Sequence, residues 1–594
     1  MKILFTLWLG LLSLRSLAQT GVAVPALAPG EATMQQFMQR WQVLGASVAL
    51  AKDGKLVYER AFGYADVART IPLQPAHLLR VASLSKTVTA LAIMKLVEAG
   101  QLSLAHPVFG PQGYLTTTTY TQHIRDPRLY RITVQQLLEH TAGWDRSLGC
   151  EGYGQCDPIE FPTRVAAVMG VANPVGDSTL IQYMLRQGLD FEPGARFAYS
   201  NIGYLVLGKV LEAVTHQPYE AWVRQHVLHP SGVLEAHLGH NLPTARLERE
   251  SDYLSRYYMP SCYDPAQQVP AADGGYQLEA MNAHGGWLFS ARDLLRLLLA
   301  MDGFTSRPDL LSAATLRSMT QPSAANAGYA KGWMVNGGNW WHTGNLDGTA
   351  SEMVRTAEGY TWVILLNTSN SSAQFWTELN ALGWQWLAGA TTWPTHDLFA
   401  PSQAASALQV SERVASPLQL TWTPGTGTHR LVLLKADRPS TAFPLDGTAY
   451  PVGSVLADGT LVAANQRGTS AWLPALDPQR TYYAHVVEYR QDSTTGNHPV
   501  YTLEDSPLVV LGLAGSAQQA PDLVLYPNPA YDALRVDGAL TSLPYQVLTS
   551  LGALVQQGTL TPTRTIPVQQ LPPGLYLLRV QQADRQRSFH FVKN

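Results

Sequence analysis

Residues 80–87 read Arg80-Val81-Ala82-Ser83-Leu84-Ser85-Lys86-Thr87, and a largely apolar stretch follows. Leu91, Ile93, Met94, Leu96 and Val97 give that stretch buried faces, and Gly100 suits its C-cap. A helix is therefore expected from Ser83 to about Ala99. Ser83 and Lys86 stand three apart, which at a helix N-terminus sets hydroxyl and amine on one face within mutual reach. A serine is a poor nucleophile until a base takes its proton. A lysine serves as that base when desolvation and neighbouring positive charge lower its pKa. The helix N-terminus favours a developing oxyanion. No other Ser-x-x-Lys occurs in the chain. Taken alone the pair reads as an ordinary helix start, and the segments around it decide between the two readings.

Upstream, Ala46–Ala51 and Lys55–Tyr64 are apolar or alternating runs joined by Asp53-Gly54, a hairpin signal. Downstream, helices are expected at Val134–His140, Ile202–Val214 and Ala291–Met301, the last with Ser290 as N-cap. Trp333–Val335, Trp340–His342, Ser351–Thr356 and Thr361–Leu366 read as strands of a closing sheet. Strands, then helices, then strands argue for an α+β layer rather than a βαβ alternation.

Two further segments carry chemistry. Phe197-Ala198-Tyr199-Ser200-Asn201 follows the turn Glu192-Pro193-Gly194 and precedes an apolar helix. A tyrosine near a lysine is expected to have a lowered pKa and to relay a proton to a leaving group. An asparagine two residues on can hold a substrate carbonyl or the lysine. Trp341-His342-Thr343-Gly344-Asn345 sits on an expected strand whose edge could pair with an extended substrate, Gly344 allowing close approach. Trp287, Trp333, Trp340 and Trp341 read as core more than as pocket lining.

In this order the three pieces resemble the SxxK serine hydrolases: penicillin-binding DD-peptidases, class C β-lactamases and related esterases. The resemblance covers roughly residues 30–390 and extends to Ile132–Gly143, His284-Gly285-Gly286-Trp287 and Ser290–Leu294. It implies an antiparallel sheet flanked by helices plus an all-helical subdomain. It implies Ser83 as acylated nucleophile, Lys86 as general base and Tyr199 as proton shuttle. Asn201, His342, Thr343 and Gly344 would support substrate, and the backbone N–H groups of Ser83 and Asn345 would form the oxyanion hole. His342 stands where typical class C β-lactamases have lysine. A histidine is only partly charged near pH 7, which makes efficient β-lactamase action less expected.

The rest of the chain sets the context. Met1 and Lys2 precede an apolar run from Ile3 to Leu14, and Ser16-Leu17-Ala18 offers a cleavage site, so residues 1–18 read as a signal peptide. The run is too short for a membrane anchor, and no later span is seen. The hydrolase region is expected over 19–390 and a linker over 391–412. Residues 413–513 change to short alternating strands, with Leu476, Pro478 and Tyr482 at the spacing of a tyrosine corner, and resemble a fibronectin type III sandwich. After a second linker, 514–521, residues 522–594 resemble the C-terminal sorting domain of the type IX secretion system, a second small β-sandwich. The match rests on Leu525-Tyr526-Pro527-Asn528-Pro529-Ala530, Leu534-Arg535-Val536, Tyr545-Gln546-Val547, Gly552, Leu571, Gly574-Leu575-Tyr576 and Phe591-Val592-Lys593. That implies the type IX machinery as partner and a secreted or cell-surface place in a Gram-negative bacterium.

Composition excludes other classes. The net charge is −3, with 46% hydrophobic and 14% charged residues, so neither dominant disorder nor a basic nucleic-acid stripe is supported. Of the 3 cysteines, Cys150 and Cys156 could form a local disulfide, leaving Cys262 free. No zinc ligand set, phosphate loop or Gly-x-Ser-x-Gly elbow is found, and no metal or organic cofactor is expected. The function read from the residues is an exported hydrolase acting through an acyl-enzyme on an ester, a D-amino-acid peptide or a β-lactam. The alternative from another class is a surface-binding protein that keeps the fold without turnover. Intact Ser83, Lys86, Tyr199 and Asn201 speak against it.

Overall fold

The strand Tyr360–Leu366 is buried at every position but its first, so the sheet that carries it is covered on both faces. That sheet has seven strands: β1 (Gln19–Gly21), β2 (Gly45–Lys52), β3 (Lys55–Gly63), β4 (Met334–Asn336), β5 (Asn339–Leu346), β6 (Thr349–Arg355) and β7 (Tyr360–Leu366), in the order β1-β3-β2-β7-β6-β5-β4. All of its pairs are antiparallel. β2 and β3 turn at Asp53 and Gly54, whose φ values of 50° and 78° are those of a two-residue hairpin turn. The computed structural model describes residues 18–594 apart from 151, 411–417, 478, 504–505, 513–523, 527–532, 538–542, 550–553, 561–564, 572–573, 583–584 and 594. The expected signal peptide up to residue 17, the linker 514–521, Pro478, and Pro527–Ala530 and Gly552 of the sorting motif lie outside the described residues.

Helix α1 (Ala28–Trp41) packs on a C-terminal helix, Ala373–Gly389, which meets the sheet through Trp362, its ring 5.0 Å from that of Trp384. The helix Ala291–Leu299 packs on β2 and β7 and is capped by Ser290, whose hydroxyl accepts from the Asp293 N–H at 3.1 Å. Between the two halves of the sheet the chain builds a helical region, including Val134–Leu138, Pro162–Met169, Asp177–Gln187, Asn201–Thr215 and Leu278–Gly285. Helix α2 (Ser85–Glu98) runs through its middle and is buried at eleven positions, so its apolar surface is nearly all-round, as a central helix requires. This is an α+β architecture, an antiparallel sheet flanked by helices with a helical region inserted between its halves.

The chain divides into two compact units. Among the described residues the first holds 18–402 together with 445–448 and 490–500, and the second holds the others. The expected boundaries at 391–412 and 413–513 therefore need adjusting. Asp397 pairs with Arg307 at 2.7 Å and Leu398 donates to the Leu56 carbonyl at 2.8 Å, so this part of the expected linker lies on the first unit. Asp446 pairs with buried Arg292 at 2.7 Å, which gives 445–448 to the same unit. Ser406–Val410, also expected as linker, is a strand paired with Gln419–Thr423.

In the second unit two antiparallel sheets share a core of Leu420, Trp422, Val432, Leu434, Ala484 and Val486, a small β-sandwich. The Tyr482 hydroxyl accepts from the Asp477 N–H at 3.2 Å, bonding back to the chain just upstream. The C-terminal strands form three- and four-stranded sheets around Leu534, Val536, Val547, Leu578, Val580 and Phe591. Among the described residues no helix is long and apolar enough to cross a membrane.

Candidate active site

The site is built where α2 begins. A 3-10 turn, Ala82–Leu84, precedes the helix and carries Ser83. Ala82 takes a φ of 48°, a left-handed conformation that costs a non-glycine residue about 1–3 kcal/mol and is kept only where the surroundings impose it. Two contacts impose it here. The Ser351 hydroxyl on β6 donates to the Val81 carbonyl at 2.8 Å. Gly344 on β5 lies so close that a Cβ there would overlap the Val81 carbonyl and the Ser351 hydroxyl. Gly344 is thus in close approach to the turn that carries Ser83.

Lys86 lies one turn further on and is wholly buried. Its Nζ is 3.0 Å from the Ser83 Oγ and donates to the His284 carbonyl at 2.8 Å. Burial holds its pKa well below the ordinary lysine value, the Arg146 charge lowers it further, and Asp157 opposes. An amine with its pKa lowered and in contact with a serine hydroxyl is placed where it could exchange a proton with it. Ser83 itself is half-buried and so within reach of a ligand.

Tyr199 sits beside both, its ring centroid 5.0 Å from the Lys86 Nζ and its hydroxyl hydrogen-bonded to Ser83. The expectation of a lowered pKa is overturned. Desolvation pushes the phenol above its ordinary value, and the Ser83 bond and the Arg146 charge offset that only in part. Tyr199 is a neutral proton donor, not a phenolate.

Asn201 opens the helix Asn201–Thr215, with Ser200 as its N-cap. Its amide nitrogen donates to Asp157 Oδ2 at 2.7 Å, and its Oδ1 is buried without a partner among the described residues. One of the two amide N–H groups expected to be open to a substrate carbonyl is thus engaged by a carboxylate. Asp157 is fully buried and also faces Arg146 at 3.5 Å; desolvation raises its pKa. Cys150 and Cys156 are disulfide-bonded with Cα atoms 5.0 Å apart, and the Cys156 N–H donates to the Arg146 carbonyl at 2.9 Å. This clip sets Arg146 and Asp157 on the two flanks of one short loop. Cys262 is buried and free. Neither Arg146 nor Asp157 was marked by a motif; the cysteine pair beside them was the one local signal. Asp157→Ala is expected to lower kcat/KM about 10- to 100-fold by freeing the Asn201 amide. Steady-state hydrolysis beside a thermal melt checks this, the melt being expected to change little because a buried carboxylate is also removed.

β5 forms the opposite wall. β4 pairs only with Asn339–Trp341, so the outer edge of His342–Leu346 has no strand partner among the described residues and lies against the Ser83 turn. Asn345 is exposed on this edge and Thr343 is half-buried. His342 departs from expectation. It is 1% exposed, and burial with the nearby Lys86 pushes its pKa down to about 3, so it is neutral at pH 7 rather than partly charged. Trp287 and Trp333 are core, while Trp340 and Trp341 are half-buried against it. Among the described residues no group of His, Cys, Asp or Glu could hold a metal ion.

A serine on the turn that opens a helix, in contact with a buried lysine, thus lies against the free edge of an antiparallel sheet. Residues 31–383 match the Beta-lactamase family model, more than half of the chain, and the protein belongs to that family. Residues 524–594 match the secretion system C-terminal sorting domain, which indicates export to the cell surface or secretion. Among curated proteins the chain is similar to Protein flp of Staphylococcus aureus strain MW2, 28% identical over 200 residues, 33% of this chain and 35% of that protein. Its matches to flp proteins span between 35% and 62% of their length. Among solved structures it is similar to the D-amino acid amidase from Ochrobactrum anthropi SV3 complexed with D-phenylalanine, 22% identical over 62% of this chain and 99% of that one, TM-score 0.47. It is also similar to a penicillin binding protein from Bacillus halodurans, 20% identical over 59% and 99%, TM-score 0.44.

Proposed function

We propose that this chain is an exported serine hydrolase that forms an acyl-enzyme on Ser83 and cleaves a carboxylic ester or an amide of the D-amino-acid type. The observation that carries this reading is the 3.0 Å contact between the buried Lys86 Nζ and the Ser83 Oγ. Lys86 takes the Ser83 proton as Oγ bonds to the substrate carbonyl carbon. The oxyanion is received at the backbone N–H groups of Ser83 and Asn345. The bond to the leaving group breaks as Tyr199 gives that group its proton and regains one from the Lys86 ammonium. Water then releases the acyl group by the reverse relay. A buried, neutral His342 supplies no fixed cation for a substrate carboxylate, which favours esters and amides over β-lactams. Residues 1–18 would direct export, 413–513 would act as a fibronectin type III-like spacer, and 522–594 would address the type IX machinery.

The test is intact-mass spectrometry of the exported chain during a time course with benzylpenicillin, followed by p-nitrophenyl esters and D-amino-acid p-nitroanilides. A transient acyl adduct mapped to Ser83, with turnover of an ester or anilide, is the expected result. Rapid turnover of the penicillin would move the reading to a β-lactamase. No adduct and no turnover on the whole panel would leave a non-catalytic surface protein.

A further inference from the structure

His140, Tyr329 and His342 lie outside the proton path just described, yet they are buried in contact beneath it. The Ser200 N–H donates to His140 Nδ1 at 3.1 Å. A neutral His140 therefore carries its proton on Nε2, which is 3.0 Å from the Tyr329 hydroxyl. At the other end, His342 Nδ1 is 2.7 Å from the Thr343 carbonyl, a group that can only accept, so the proton is on Nδ1. His342 Nε2 is then an acceptor, 3.3 Å from the same Tyr329 hydroxyl. The neighbouring Tyr204 donates to the Leu138 carbonyl at 2.7 Å, and its oxygen faces the Gly332 backbone and, as a second acceptor, the Tyr329 hydroxyl. One direction of bonding satisfies every group: Ser200 N–H to His140, His140 to Tyr329, Tyr329 to His342, His342 to Thr343.

The chain has functional termini. Ser200 is the middle residue of Tyr199-Ser200-Asn201, and Thr343 lies on β5 in the opposite wall. We propose that Tyr329 is a positioning residue, whose single hydroxyl fixes the tautomers of His140 and His342 and so holds the Tyr199–Asn201 segment and β5 at a set spacing about Ser83. This rests on the acyl-enzyme reading for its effect on rate, but not for its effect on the two imidazoles. The groups that face them are Lys86, Arg146, Tyr199 and Tyr204, with the His140 and Tyr199 rings 4.3 Å apart. The Arg146 charge disfavours a charged His140, and Lys86, when protonated, disfavours a charge on either ring.

The experiment uses the full chain labelled with 15N-histidine, with the two signals assigned from His140→Gln and His342→Gln. In the wild type His342 is expected to carry its proton on Nδ1 and His140 on Nε2, both unchanged from pH 8 to pH 5. In Tyr329→Phe the ring remains but Nε2 of His342 loses its donor. Its neutral form is then less favoured, and the ring begins to titrate inside that range. Ester turnover by Tyr329→Phe should fall about tenfold at pH 7.5 and gain a new acid limb in kcat/KM. Opposite tautomers, or a wild-type ring titrating above pH 5, would overturn the proposal even if the variant fails to fold. So would a folded Tyr329→Phe with unchanged signals and pH profile. Expected tautomers without an adduct or hydrolysis of any ester or D-amino-acid anilide would sink the catalytic reading and leave the positioning intact.

Discussion

Ser83→Ala is expected to cut turnover of any substrate found by at least about 10³-fold and to abolish the covalent adduct. Removing a serine nucleophile from an assembled hydrolase site costs on the order of 10³- to 10⁶-fold, because what remains is binding and oxyanion stabilisation alone. The fold should not suffer. Ser83 is half-buried, and Lys86 keeps its bond to the His284 carbonyl at 2.8 Å after the hydroxyl is gone. A melting temperature within about 2 °C of wild type is expected, since few contacts are lost. Ser85→Ala is the control that separates chemistry from structure. The Ser85 hydroxyl is buried and accepts from the Trp287 N–H at 3.2 Å, so its loss leaves a backbone donor unsatisfied and costs about 1–3 kcal/mol of stability. The Ser85 variant should still form the adduct. Parallel time courses of the two variants with one ester and with benzylpenicillin, read by intact mass, decide it. Retained turnover in Ser83→Ala would end the acyl-enzyme reading.

What the sequence showed and what it hid divide along a physical line. Elements with a local period were legible. The hairpin of β2 and β3 was marked by Asp53-Gly54, and α2 by its apolar run and Gly100, whose φ is 68°. The Ser83–Lys86 contact was legible because three residues on a helix start fix a distance. Contacts with no such spacing were not. Asn201 meets Asp157 across 44 residues, and His140 meets Tyr329 across 189. No periodicity links such positions; only the packed fold does. Ionisation was hidden for the same reason. By sequence Tyr199 follows its lysine neighbour and His342 the ordinary imidazole range, while burial, which depends on the whole tertiary structure, raises the pKa of the first and lowers that of the second. The same limit applies to 445–448, whose Asp446 joins Arg292 in the first unit although local composition gives it to the β-rich region.

Lys86→Met is expected to separate activity from stability with opposite signs. Losing a positioned general base costs about 10²- to 10⁴-fold in rate, and here the same amine also returns the proton through Tyr199, so the upper end is expected. Stability should rise. The folded-state pKa of Lys86 is well below the ordinary lysine value of 10.5, near which the unfolded chain titrates. Between those two values the unfolded state binds more protons, so wild-type stability increases with pH across that window and the desolvated lysine costs stability at neutral pH. Methionine matches the length of the side chain without a group to desolvate. The variant should melt a few degrees above wild type at pH 7, by about 2–6 °C, with the difference shrinking as pH rises towards 10. Lys86→Arg should be inactive and less stable, since a guanidinium stays protonated and cannot be a base. Melting curves from pH 6 to pH 10 beside single-turnover acylation rates test both halves. A Lys86→Met variant that is less stable than wild type at pH 7 would mean that the lysine is charged in the folded protein, and with that the base assigned to Ser83 would be lost.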